Sequence, residues 1–183
     1  VASLFAETAP CGVTAPARLQ IQHVSGTGLT CTPSTVTVQA CADAACTSPY
    51  TSGVSGTLSA TGGSVVWPDT TAFTIPAGSS TASVRLQATT TTPTVLGVAS
   101  SSPSASNAAN CNFGSPVCTF TAADTGLLFD VPNGLADASL AFTVQAVRRS
   151  DNSLACTPAF ASVSRNITFA CAYTNPTTGT DRK

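Results

Sequence analysis

Across 183 residues the chain has one glutamate, Glu7, one lysine, Lys183, and no methionine, set beside 13 Gly and 12 Pro. Straight-chain residues lose the least rotamer freedom in a helix, and Gly and Pro interrupt one, so this composition rules out a helical fold. Strand periodicity takes its place. β-Branched or apolar residues alternate with polar ones at Arg18 to Val24, Thr35 to Cys41, Ala82 to Ala88, Val117 to Ala122, Leu140 to Val147 and Asn166 to Tyr173. Short apolar runs stand at Ser64 to Trp67, Thr94 to Ala99 and Leu127 to Val131. Gly and Ser clusters separate these segments at roughly 8 to 12 residues, the spacing of a β-sandwich rather than of βαβ units. The expected class is all-β, with two tandem Ig-like β-sandwich domains stapled by disulfides.

The boundary is read from side-chain size. Ala99 to Ala109, A-S-S-S-P-S-A-S-N-A-A, holds no side chain large enough to anchor a core. The expected division is therefore an extended leader over 1–17, an Ig-like sandwich over 18–104, a linker over 105–110, a second, short Ig-like sandwich over 111–174 and a polar tail over 175–183. Thr89 to Thr94, T-T-T-T-P-T, lies between two good strands and reads as a connection inside the first domain. Thr37-Val38-Gln39-Ala40 returns as Thr143-Val144-Gln145-Ala146, which suggests equivalent early strands in two related modules. Counted from that strand, the second module has too few residues for two packed sheets, so one edge is left with unpaired backbone groups. Either the native protein continues beyond Lys183, or another chain supplies the strand. The apolar leader, with Val1, Leu4 and Phe5, is a candidate donated strand; the plainer reading is that it packs on its own module.

Only 8% of residues are charged and the formal net charge is −1, while 43% are hydrophobic. Disorder by charge repulsion is excluded, and seven scattered basic residues cannot neutralise a run of phosphates, so nucleic acid is not an expected partner. No segment approaches the roughly 20 apolar residues of a membrane-spanning helix, so no membrane insertion is expected. A chain without an initial methionine reads as a processed product or a piece of a longer precursor, its export signal already removed.

Eight cysteines remain to be explained. No pair forms Cys-x-x-Cys and His23 is the sole histidine, so a tetrahedral metal site has little to recruit and no metal or cofactor is expected. Disulfides fit an oxidising compartment, the periplasm or the cell exterior. Cys41 and Cys46 flank A-D-A-A, and Cys111 and Cys118 flank N-F-G-S-P-V, both turn-like segments that can close locally. Cys156 would face Cys171 if Val163 to Asn166 turns a hairpin, and Cys11 with Cys31 is left by elimination.

Chemistry finds few candidates. Paired-carboxylate hydrolysis needs two acids across a cleft, but Glu7 is the only glutamate, and Asp43, Asp69, Asp124, Asp130, Asp137, Asp151 and Asp181 mostly adjoin turn residues, where Asp bonds its own backbone. A serine nucleophile needs a histidine base and usually a Gly-x-Ser-x-Gly turn; His23 is alone, alternates with Ile21 on its strand, and is expected to face water. No phosphate-binding loop or Asp-rich calcium loop occurs. No enzyme is expected. Sugar stacking on loop aromatics is the alternative, with Trp67 and Tyr50 as the available rings; a buried Trp67 filling a sandwich core is the more ordinary outcome. Asn166-Ile167-Thr168 matches the N-glycosylation triplet but lies inside a strand pattern.

Several segments in order carry a resemblance. L-T-C-T-P-S-T-V-T-V-Q-A-C-A-D-A-A-C (Leu29 to Cys46), L-L-F-D-V-P-N (Leu127 to Asn133), V-R-R-S-D-N-S-L-A-C-T-P-A-F (Val147 to Phe160) and F-A-C-A-Y-T-N-P (Phe169 to Pro176) resemble the conserved region of Q-type proteins from bacterial mannose-sensitive haemagglutinin (MSHA) pilus operons. The likeness spans Arg18 to Thr180, and the chain is far shorter than those proteins. The first module's V-T-V-Q-A strand and S-T-A-S-V-R-L-Q-A-T, Ser80 to Thr89, also resemble bacterial Ig-like adhesin repeats. The resemblance implies a secreted or surface-exposed Gram-negative protein linked to pili and adhesion, without a catalytic motif. The expected function is an extracellular structural or adhesive module of a pilus or surface fibre, assembling through β-strand contacts. Its expected partners are other fibre subunits, the rest of a larger surface protein or copies of itself, with a glycan as ligand in the alternative reading.

Overall fold

In a computed structural model, which describes residues 15–114, 117–133, 141–160, 166 and 168, the chain forms thirteen strands and, among the described residues, no helix. They are β1 (Arg18–Gln22), β2 (Thr27–Leu29), β3 (Ser34–Cys41), β4 (Val54–Gly62), β5 (Val65–Val66), β6 (Ala72–Ile75) and β7 (Thr81–Ala88). There follow β8 (Thr94–Ser102), β9 (Asn110–Cys111), β10 (Thr119–Ala123), β11 (Thr125–Asp130), β12 (Thr143–Arg149) and β13 (Cys156–Pro158). One five-stranded sheet has the order β5-β7-β3-β1-β9, a second β2-β10-β8-β4-β6, and a three-stranded sheet β11-β12-β13. The expected leader segment Val1, Leu4 and Phe5, together with Cys11, Cys171, most of the strand expected over Asn166 to Tyr173 and the polar tail, falls outside the described residues.

The two five-stranded sheets enclose one core because their strands alternate. β3 turns Val36, Val38 and Ala40 inward and leaves Thr35, Thr37 and Gln39 less covered. Leu19 and Ile21 of β1 and Val84 and Leu86 of β7 come from the same sheet and meet Leu58, Phe73, Ile75, Leu96 and Phe120 of the other. Full burial of each such side chain contributes about 1.5–3 kcal/mol, so this layer is the main source of stability. The repeated tetrapeptide Thr-Val-Gln-Ala occupies β3 and β12, each the middle strand of its sheet among the described residues.

β4 alternates Val54, Gly56, Leu58 and Ala60 with Ser and Thr, but its apolar face is thin because one inward position is Gly56. In the β4–β6 register Gly56 stands opposite Phe73, and a Cβ placed there would lie 2.6 Å from the Phe73 ring and 2.3 Å from the Ser100 carbonyl oxygen. The ring fills the space the glycine leaves, so volume is supplied across the sheet rather than along the strand.

The sheets do not divide where side-chain size suggests. β9 pairs in parallel with β1, and β10 pairs with both β2 and β8, so residues as far as Ala123 complete the first sandwich. Phe113, Cys118 and Phe120, expected in a second sandwich over 111–174, are buried in the first core. The expected linker over 105–110 is held along the sandwich by its backbone: Ser106 N donates to Pro16 O at 3.1 Å and Asn107 N to Ala17 O at 2.9 Å. Small polar side chains do not anchor a core, but their peptide groups bond neighbouring chain as well as any others. With its opening strands absorbed by the first sandwich, the second unit is described as the three-stranded sheet β11-β12-β13.

Candidate functional site

The place where the sandwich meets the three-stranded sheet is built by a chain of neighbours. Thr30, at the end of β2, donates its amide to Ala123 O at 3.0 Å, and its buried hydroxyl donates to Asp124 Oδ1 at 2.6 Å. β11 starts at the next residue and pairs Thr125 with Arg148. Arg149 N donates to Asp124 O at 2.7 Å, and Arg149 stands opposite Cys156 in the β12–β13 register. Cys31 and Cys156 are thereby brought to a Cα separation of 4.6 Å and joined by a disulfide.

Polar groups reinforce this bond. Gln87 is buried, and its side-chain amide donates to Thr30 O at 2.9 Å and to Leu154 O at 2.8 Å, one carbonyl on each side of the junction. Arg149 Nη1 donates to Thr89 O, tying β12 to the segment after β7. A Cβ on Gly126 would lie 2.6 Å from Leu29 Cδ2, so the start of β11 also packs closely on β2. Asp124, Thr125, Arg148, Arg149, Ser150 and Asp151 line a hollow of 370 Å³ beside the junction. There Arg148 Nη1 donates to Asp151 Oδ1 at 3.2 Å and faces its own strand's Arg149 carbonyl at 3.4 Å.

The Cys31–Cys156 bond corrects two expected pairings, Cys11 with Cys31 and Cys156 with Cys171, since each sulfur forms one disulfide. Elimination along the sequence fails because the proximity arises from sheet pairing between segments 125 residues apart. The structure also joins Cys41 to Cys46 and Cys111 to Cys118. In each of these short loops one cysteine takes a left-handed backbone, Cys46 at φ 58° and Cys118 at φ 56°.

Of the candidate acids, Asp124 and Asp151 line the same hollow, bonded to Thr30 and Arg148, and Asp43 and Asp69 are held in other places. Asp43 caps the Cys41–Cys46 loop, accepting from Ala45 N at 2.8 Å, Thr47 N at 3.2 Å, Ser48 N at 2.6 Å and Thr47 Oγ1 at 3.0 Å. These bonds, led by the Thr47 amide, hold its carboxyl at about 2. Its contribution to folding is therefore present above the ordinary value of 3.8 and lost as pH falls through about 2. A carboxyl-detected NMR titration should place its midpoint there, and Asp43→Ala should accelerate hydrogen exchange at Ala45, Thr47 and Ser48. Asp69 forms a two-pronged pair with Arg85, at 2.8 and 2.7 Å. Asp130 is exposed at the end of β11, and Glu7, Asp137 and Asp181 lie outside the described residues.

His23 does not simply face water. Its ring is half-buried edge-on to Phe113 and Phe120, with centroids 5.9 and 5.3 Å away, and Nδ1 accepts from Gly26 N at 2.9 Å and Ser25 N at 3.3 Å. The imidazole therefore closes the β1–β2 turn in its neutral form, and burial pushes its pKa below 6.5. Its stabilising contribution is complete above pH 6.5 and declines as pH drops towards the lower folded value, because the unfolded chain takes up the proton first. Between pH 7.5 and 5 the native protein should lose more melting temperature than His23→Gln.

Tyr50 lies in the sandwich core at 4% exposure, which corrects its expected place as a sugar-stacking ring. Trp67 packs partly buried against the same core. Both rings have enough apolar surface for the sandwich to retain them. Among the described residues no group of three or more His, Cys, Asp or Glu is placed to hold a metal ion, and no helix is long and apolar enough to cross a membrane.

Beyond the junction, β11 presents Leu127 and Phe129 at alternate positions, exposed at 45% and 57%, and Val131 just after the strand is exposed at 58%. Alternation with this spacing belongs to one face of a sandwich sheet. Residues 107–183 match a first Ig-like domain. The matching family is described as Domain of unknown function (DUF6701), first Ig-like domain, and residues 18–104 match a Domain of unknown function (DUF8613). No curated protein and no solved structure matches the chain. The join between the two matched regions falls before β9 and β10, so the opening strands of the Ig-like match complete the sandwich of the other. All-β architecture, an Ig-like match and three disulfides together fit an extracellular structural or adhesive module.

Proposed function

We propose that the chain is a non-enzymatic part of a bacterial pilus or surface fibre, exported through the periplasm, which holds its neighbours through β-strand contacts. The observation that carries this reading is the Ig-like match joined to a sandwich by a disulfide and a buried amide bridge. A bridge of this kind holds two units in a fixed relation, which suits a spacer or display element. The ordered resemblance of Leu29 to Cys46, Leu127 to Asn133 and Val147 to Phe160 to Q-type proteins of MSHA pilus operons gives the reading its link to pili.

Strand addition has a specific candidate surface. Among the described residues β11 pairs with β12 on one edge and with no strand on the other, and the same strand carries the exposed Leu127 and Phe129. A donated strand would bond that edge and cover those side chains. Immunogold labelling of cells producing the whole native polypeptide should place this region on fibres or the outer surface with its cysteines oxidised. A reduced cytoplasmic pool would overturn the proposal.

A further inference from the structure

We propose that the Cys31–Cys156 disulfide is a mechanical by-pass, which carries tension across the molecule and keeps the intervening strands out of the path of force. Tension follows covalent connections, and hydrogen-bonded sheets resist it only where they interrupt that path. A pull entering before Cys31 and leaving after Cys156 crosses from one to the other over a Cα separation of 4.6 Å. The 125-residue separation between these cysteines contains β3 to β12, which includes nearly all of the sandwich core and the two long strands of the three-stranded sheet.

Three further observations support this assignment. The local bridges Cys41–Cys46 and Cys111–Cys118 both lie inside the by-passed segment, so neither shortens the loaded route. Around the loaded bond, Gln87 bridges Thr30 and Leu154, and Thr30 bonds Asp124, so the two attachment points are braced against each other by shorter contacts. Strands β1 and β2 precede Cys31 and are the described elements left exposed to the pull, with β13 at the other end. Without the bridge, unravelling the same segment would add about 400–450 Å, at about 3.3–3.6 Å per extended residue. The proposal deepens the reading of the chain as a structural module: its length is fixed in oxidising surroundings and becomes extensible when a thiol reductant opens the bond.

Single-molecule pulling from the two termini tests the by-pass. Every chain would carry Cys11→Ser and Cys171→Ser, so that Cys31–Cys156 and the two local bridges are the only ones available. Without reductant, the parent should show only short extensions, and dithiothreitol in the chamber should add a step of about 400–450 Å. Adding Cys31→Ser and Cys156→Ser should give a step with no reductant that is shorter by about 30 Å, because the two local bridges inside the segment stay closed. Should those substitutions prevent folding, the parent with and without dithiothreitol decides the question. The by-pass is overturned if the parent reaches full length while peptide mapping finds the bond intact, or if reduction adds no length. A by-pass that holds in a protein absent from the cell surface would sink the fibre reading alone, whereas a surface protein that extends freely would sink the by-pass alone.

Discussion

Replacing Cys31 and Cys156 together by serine is expected to lower the melting temperature by about 10–20 °C, more than the loss of either short-loop disulfide. Chain-entropy arguments assign about 5 kcal/mol to a bridge closing a loop of this size, because the unfolded chain loses more freedom as the loop grows. The structure adds a second loss. Gln87, Thr30 and Arg149 bond across the same junction, and with the covalent tie removed those bonds alone must keep the two sides together. Calorimetry of the double variant against Cys41→Ser with Cys46→Ser separates the long loop from the short one. The short-loop variant should lose much less, and equal losses would show that loop length is not the controlling quantity.

Gly56→Val should be nearly as damaging, costing about 3 kcal/mol or more, since overfilling a packed core usually costs about 1–3 kcal/mol and the displaced group is an aromatic ring. The new Cβ would stand 2.6 Å from Phe73 and 2.3 Å from the Ser100 carbonyl oxygen, and that backbone atom cannot swing aside. Phe73 is 3% exposed and has nowhere to go within the core. Chemical denaturation should show a lower midpoint, and Gly97→Ala is the informative comparison, because its added carbon meets only the mobile Ser59 hydroxyl at 3.0 Å. A Gly56→Val protein as stable as the native one would mean that β4 and β6 do not hold the register described.

Strands whose two faces differ were legible in the residues themselves. β1, β3, β7 and β10 each combine inward Leu, Ile, Val or Phe with outward polar neighbours, and the alternation locates them to within a few residues. β4 also alternates, but with small residues, and the volume that Gly56 lacks comes from its cross-strand partner Phe73, which only sheet pairing reveals. β9 is hidden for a different reason: its two residues, Asn110 and Cys111, are placed by backbone bonding to β1 and are too few to show a side-chain period.

The same distinction governs the site. Asp43 was recognisable as a turn carboxylate because its partners are two to five residues away. The Cys31–Cys156 junction was not, since it requires Thr30 beside Ala123 and Arg149 opposite Cys156 before the sulfurs can meet. Tyr50 was misplaced because an amphipathic ring suits a loop platform and a sandwich interior about equally, and the choice depends on which strands surround it.

The late arrival of β9 and β10 sets an order of events for a polypeptide that emerges from a ribosome or an export pore amino end first. When Ser102 is out, eight strands are free to collapse, yet β2 still lacks its neighbour and the cavity destined for Phe120 is empty. That interval is when an unfinished sandwich is most open to capture by another copy or by a chaperone. Closure waits for Ala123 to appear, and the long bridge waits still further for Cys156, so oxidation before that point can only join Cys31 to the wrong partner.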